Sequence, residues 1–394
     1  MHLGIDFGTS YTKLGFWETG SFINLAGSEQ RIPSVVTWLP SQSKLFFGNL
    51  AYRLDEPGAV RASFFKLALK RNPEFSLGPF SLPLIMREFF NYLKQEYVPL
   101  TLVESLSLSI PNYFGLNSRR ILQTAAREVF QVENIYLLPE PVAAISGYNF
   151  SHPKQPLQGD ILSIDIGGGT TDFSFLRVMQ ERNEILLETQ LQMGHDAFSG
   201  LEIDRAILHH ILFPCFRMQH GEELPEQFWN ENLSSSRDRF IFHHLLMQAE
   251  KLKIELSYKE QLFVDIPGFY GGKSLLLELD QNMFKLQLQD VFERFKIYFN
   301  ESIKNRAQNL NLYDGQHWQL DYVLLQGGAS QCRGVSKLVQ ELCPGVPVIQ
   351  PEDCDFNVVR GLSLWKESGM AAGSQVKSIF PFQFYIQSID PQSH

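Results

Sequence analysis

The sequence predicts an α/β protein of two related lobes, each a mixed sheet flanked by helices and carrying an inserted subdomain. Three observations predict it. A strand–acid–glycine–strand unit occurs twice, strand and helix patterns alternate along the chain, and 394 residues suit two or three domain-sized units better than one core.

The repeat carries most of the weight. Ile5-Asp6-Phe7-Gly8-Thr9-Ser10 aligns without a gap on Ile164-Asp165-Ile166-Gly167-Gly168-Gly169, and the match continues as Thr12 onto Thr171 and Phe16 onto Phe175. The other elements follow in order. Leu106 to Ile110 alternates serine with apolar residues as a strand does, and Pro111 closes it. Ser118 stands where an N-cap belongs, ahead of a helix with Leu122, Ala125 and Val129 on one face. Ile161 to Ile166 and Tyr322 to Leu325 read as buried strands running into glycines, while Arg237 to Leu256 and Phe284 to Leu310 carry long helical patterns. Turn signals cluster at Pro153 to Gly159, a lobe boundary, and at Gln219 to Ser236, a loop in an insertion. The expected division is 1–152 for the first lobe, with an insertion at about 40–104, and 153–372 for the second, with an insertion at about 196–310. A tail follows at 373–394.

Composition narrows the class. Hydrophobic residues at 44% and charged residues at 20% form an ordinary globular balance, with the 32 Phe read as core filler. A formal net charge of -9 argues against non-specific nucleic-acid binding, which needs clustered Lys and Arg. Cys215, Cys332, Cys343 and Cys354 stand far apart and read as free thiols of a reducing compartment. The N-terminus enters a strand pattern at once, and no apolar run approaches the roughly 18 residues of a membrane span. The expectation is a soluble, cytoplasmic protein.

A glycine-rich turn between strands lets backbone N–H groups reach phosphate oxygens with no Cβ in the way. Gly8-Thr9-Ser10 and Gly167-Gly168-Gly169-Thr170 have that composition. One such turn serves plain β-structure as often as a ligand. Two aligned turns, each led by an acid, suggest facing clamps on a polyphosphate, with Mg²⁺ held through water by one or two carboxylates. Glu140-Pro141-Val142-Ala143-Ala144 opens a small-residue helix. Glu140 is there either a solvated N-terminal charge or a group holding water or the metal shell. Leu324-Leu325-Gln326-Gly327-Gly328-Ala329-Ser330 is a strand entering a double glycine and then a helix, which fits a tight turn and a nucleoside contact equally. Asp355, with Val358, Leu362 and Trp365 at helical spacing, reads as an N-cap. His209-His210 and His243-His244 point to different helix faces and read as ordinary histidines. No Walker-type lysine loop, dinucleotide fingerprint or serine elbow occurs.

With the two hairpins, the Glu-Pro segment and the double glycine in this order, the chain resembles the nucleotide-binding domain of the DnaK-type, seventy-kilodalton heat-shock chaperones. That domain has the two-lobed actin-like ATPase (ribonuclease H-like) fold, and the resemblance spans residues 2 to 366 approximately. Ile110-Pro111-Asn112-Tyr113-Phe114 with Ser118-Arg119-Arg120, Gly167 to Asp172, and Gly200-Leu201-Glu202-Ile203-Asp204 favour the chaperone branch over actin and sugar kinases.

The resemblance implies ATP or ADP with Mg²⁺ in a central cleft, and hydrolysis of ATP. Gly8, Thr9, Ser10 and Tyr11 would line the first phosphate loop, and Gly167, Gly168, Gly169 and Thr170 the second. Asp6 and Asp165 would hold the hydrated Mg²⁺. Among these, Thr170 and Asp165 would act in catalysis, with Lys66 and Glu140 orienting the attacking water. Pro111 and Glu140 would couple nucleotide state to lobe rotation. Glu250, Lys253 and Ser257, on one helical face, would meet the adenosine, and Gly327, Gly328 and Asp355 would complete the nucleoside side.

Two departures stand out. Ile254 and Gln331 occupy positions where the family places arginines around the adenine. The chain also ends at His394, near where the family's linker and peptide-binding domain begin, which implies a switch that acts through a partner protein. The aromatic run Ile379 to Ile386 suits an edge strand or a docking segment. A weakly hydrolysing scaffold, a filament-forming actin relative and a small-molecule kinase are the competing readings.

Overall fold

The computed structural model describes residues 1–54, 56, 58–63, 65–72, 74–99, 103–111, 114–181, 184–195, 198–233, 235–368 and 376–379. Two six-stranded sheets dominate it, and their strands follow the same order. The first runs Asn134–Pro139, Ser105–Ile110, His2–Phe7, Tyr11–Glu18, Ser21–Asn24, with Ile32–Pro33 paired to Tyr11–Glu18. The second runs Val348–Ile349, Tyr322–Gln326, Gly159–Ile166, Thr171–Glu181, Glu184–His195, Val376–Ile379. In the first hairpin Phe7 lies opposite Thr12 and Asp6 opposite Lys13. In the second, Ile166 lies opposite Thr171 and Asp165 opposite Asp172. The repeat read from the sequence is therefore a structural repeat with the same register in both copies.

The central strands are covered on both faces, so their polar residues need partners inside. His2–Phe7 and Ser105–Ile110 are buried throughout. The serines of the second strand meet this need. The His2 ring is hydrogen-bonded to Ser105 and Ser107 at 2.8 and 2.9 Å, and Ser109 donates to Asp6 Oδ1 at 2.8 Å.

Between the strands Ile32–Pro33 and Ser105–Ile110, a small sheet of Lys44–Phe47, Val35–Leu39 and Val60–Ser63 packs with helix Leu82–Tyr97. That helix buries Leu82, Ile85, Met86, Phe89, Phe90 and Leu93 at helical spacing. Between Glu184–His195 and Tyr322–Gln326 lie the long helix Ser236–Tyr258, the hairpin Gln261–Tyr270/Lys273–Asp280 and shorter helices. Phenylalanines are the largest wholly buried side chains, with Phe7, Phe65 and Phe89 in one core and Phe173, Phe295 and Phe299 in the other.

Several local expectations change. Helix Leu116–Phe130 is capped at Gly115, and Ser118 lies inside it, where its hydroxyl donates to Leu69 O at 2.7 Å. The serine ties the helix to the insertion instead of starting it. Phe284 to Leu310 is not one helix. It breaks at Leu288 between Gln281–Gln287 and Gln289–Tyr298, then widens over Phe299–Ile303 before Lys304–Asn309. The wide turn keeps Phe295, Phe299 and Ile303 all in the core. Asp355 is not an N-cap, because the last helix starts at Asn357 and the carboxylate is held by basic side chains.

That last helix, Asn357–Ser368, belongs to the 153–372 segment in sequence but packs on the first sheet, against His2–Phe7, Tyr11–Glu18 and Ser105–Ile110. It crosses helix Glu140–Ser151 at two glycines. A Cβ on Gly361 would strike Ala143 O, and one on Gly147 would strike Asn357 O. Val142, Ile145 and Tyr148 of the crossed helix pack on the second sheet, while Ala143 and Ala144 meet Val358 and Leu362. The crossing thus joins the two sheets.

Val376–Ile379 forms a parallel edge strand on Glu184–His195. Phe380 to Ile386, Asn112, Tyr113 and the Trp365 side chain lie outside the described residues. Cys332, Cys343 and Cys354 are buried and Cys215 half-buried, all free. Among the described residues, no helix is long and apolar enough to cross a membrane.

Candidate functional site

The two hairpin turns meet between the sheets. Gly8 N–H donates to Asp6 O at 3.2 Å, and Gly167 N–H donates to Thr170 O at 2.9 Å. A Cβ on Gly168 would overlap Ser10 Oγ, and one on Gly169 would lie 2.8 Å from Thr9 Cγ2, so only glycine lets the turns approach this closely. Helix Gly200–Ile207 starts against the second turn, with Gly200 N–H bonded to Gly167 O at 2.9 Å and Leu201 N–H to Gly168 O at 2.8 Å. The turns line a cleft of about 970 Å³ including its open mouth, together with Tyr11, Gly327, Gly328 and Asp355.

One side of the cleft is acidic. Asp6, Glu140, Asp165 and Asp172 all line it. Burial, then the charges of Glu140, Asp172 and Asp6, push the Asp165 carboxyl well above the usual range, against the pull of Lys13. Burial and Glu140 likewise raise Asp172 to about 7, opposed by the Thr170 hydroxyl and the Lys66 and Lys70 ammonium groups. Thr170 Oγ1 donates to Asp172 Oδ2 at 3.0 Å. Lys66, buried, reaches Glu140 Oε1 at 2.8 Å across 74 residues of sequence. Glu140 is therefore not a solvated helix-end charge. It shares a second hollow with Pro111, Pro141, Asp165 and Asp172.

The other side is built on helix Ser236–Tyr258. Glu250 accepts hydrogen bonds from Tyr11 OH at 3.1 Å and Tyr52 OH at 3.3 Å, both from the first lobe. Burial, then the Glu250 charge, raises both phenols above their usual range and keeps them protonated donors. Lys253 pairs with Asp204 at 2.8 Å and donates to Gly200 O at 3.1 Å. Burial pushes the Asp204 carboxyl up to about 7 even so. Ser257 donates to Lys253 O at 2.9 Å and lines a neighbouring recess with Arg31, Tyr258 and Gln331. Ile254 lines the cleft itself. The Gln331 amide is held by the Tyr258 hydroxyl and by Cys354 Sγ. Half-buried His243, held down to about 3 by desolvation and by Arg61, lies neutral against the Tyr52 ring.

A magnesium ion fits this arrangement only in its hydrated form. Among the described residues, no three His, Cys, Asp or Glu side chains converge closely enough to ligate a metal directly. Asp6 and Asp165 flank the glycine turns, where a water-coordinated ion bound to phosphate would need them.

The family model of the Hsp70 proteins matches residues 87–359, more than half of the chain. The chain belongs to the Hsp70 family. Its fold is the actin-like ATPase fold of the Hsp70 nucleotide-binding domain, and membership implies ATP or ADP with Mg²⁺ as ligands. The Hsp70 match begins after the first hairpin, so the equivalence of that hairpin with the second rests on the internal repeat and the shared register.

Of the positions expected from the Hsp70 resemblance, all but Pro111, Gly169 and Ser257 line the main cleft, and Pro111 lines the second hollow with Glu140. Ser257 opens onto the recess beside it, and Gly169 packs on Thr9. The sequence reading did not single out Lys13 or Arg31, and it named Asp172 and Asp204 within motifs without giving either a role of its own. The repeat contained the signal for two of them, because the register that pairs Asp165 with Asp172 pairs Asp6 with Lys13.

Proposed function

We propose that this chain is an ATP-hydrolysing molecular switch whose lobes close on the nucleotide and whose state is read by a partner protein. The observation that carries this reading is the buried Lys66–Glu140 pair beside two touching glycine turns. Hsp70 membership supports the nucleotide.

In this reading the turn N–H groups hold the phosphates and Thr170 holds the γ-phosphate. Lys66 and Glu140 orient a water for in-line attack on it, so positioning and charge stabilisation supply most of the catalysis. Magnesium, when bound, neutralises phosphate charge. The output is rotation of the lobes about the helix crossing at Gly147 and Gly361.

A single-turnover assay with ATP in excess magnesium tests this. The wild-type chain should release phosphate, and Lys66→Ala should lose at least about a hundredfold in rate while binding ATP nearly as well. Equal rates in the two proteins would remove Lys66 from the mechanism. Binding without turnover in the wild type would favour a regulatory scaffold, a reading for which Ile254 and the tethered Gln331 give a specific reason. Both replace cationic contacts to the base, and base preference is then expected to be loose.

A further inference from the structure

The two hairpins match in fold and register but not in charge. Where the second sets Asp172 opposite Asp165, the first sets Lys13 opposite Asp6, and both side chains line the cleft. Lys13 Nζ stands 3.4 Å from Asp6 Oδ2 and 3.9 Å from Asp355 Oδ1, with its side chain only 12% exposed. The other two lysines of the cleft are committed elsewhere, Lys66 to Glu140 at 2.8 Å and Lys253 to Asp204 at 2.8 Å. Arg31 lies on the Tyr11 ring and shares Asp355. Lys13 is the lysine that reaches the cleft with only long contacts to its carboxylates, so it retains capacity to meet a third anion.

We propose that Lys13 is a built-in counter-cation of the site, which takes the nucleotide diphosphate from the first lobe and lessens the need for a divalent ion. The proposal rests on the nucleotide reading above. An ammonium beside Asp6 acts in two ways. It attracts phosphate charge that magnesium would otherwise neutralise, and it repels a divalent ion from the carboxylate expected to hold that ion's water shell. Both effects are stronger for side chains as little exposed as Lys13 and Asp6 than they would be in open water.

The test is the equilibrium dissociation constant of ADP, measured by calorimetry in excess magnesium and again in EDTA. It uses the wild type and Lys13→Met, which keeps the length of the side chain and removes its charge. Thermal melts establish that both are folded. On removing magnesium, the wild type should lose less than about tenfold in affinity, and Lys13→Met at least about tenfold more than the wild type. The same magnesium dependence in both proteins would overturn the proposal. So would a wild-type loss above about a hundredfold, a result that does not depend on the variant. A wild-type chain that binds ADP in neither buffer would instead refute the nucleotide reading, and this inference with it.

Discussion

Asp172 shows what burial does to a single carboxyl in this cleft. Its proton is released near 7 in the folded chain, against an ordinary value of 3.8. The folded state therefore holds that proton more tightly than the unfolded chain. Stability from this group is complete below about pH 4 and is lost as pH rises through 7. Between pH 5 and 8, without nucleotide or magnesium, the wild-type melting temperature should fall more steeply than that of Asp172→Asn. Parallel curves would mean that the carboxyl is better solvated than its surroundings suggest. The composition of the second turn was legible in the sequence, but the proximity of Asp172 to Glu140 was not. Nothing in a linear reading states which of two distant acids share one hollow.

Helices were legible as periodicity and only partly as packing. The long pattern Arg237 to Leu256 became Ser236–Tyr258, with Glu250 and Lys253 facing the cleft. Helix Asn357–Ser368 was also anticipated, but its place on the first sheet was not. That place depends on backbone approach at Gly147 and Gly361, where any Cβ meets a carbonyl oxygen. Gly361→Ala should therefore destabilise the chain by about 1–3 kcal/mol, since neither crowded helix has room to give. Urea denaturation checks this. An unchanged midpoint would mean that the crossing relaxes easily, and it could not then serve as a stiff pivot.

Across the whole molecule, Tyr11 and Tyr52 of the first lobe both end on Glu250 of the second. Two such bonds to a charged acceptor form a latch between the lobes. Glu250→Ala removes the acceptor for both phenols. The variant should give a larger radius of gyration by X-ray scattering without nucleotide, and should release ADP about tenfold faster. Identical scattering would show that the lobes are held by other contacts. Light scattering with and without ATP addresses the filament alternative, and a switch of this kind should show no ATP-dependent growth.

By itself the sequence determined the duplicated acid–glycine hairpin, the order of the motifs and the α/β class. Each is written in local spacing, which backbone geometry converts directly into strands and turns. Only the tertiary structure decided that Lys66 meets Glu140, that the last helix returns to the first sheet, and that Asp355 faces Lys13 and Arg31 instead of capping a helix. These pairings join residues far apart along the chain. They are set by which faces of the two sheets are buried together, and that is a property of packing that local spacing does not encode.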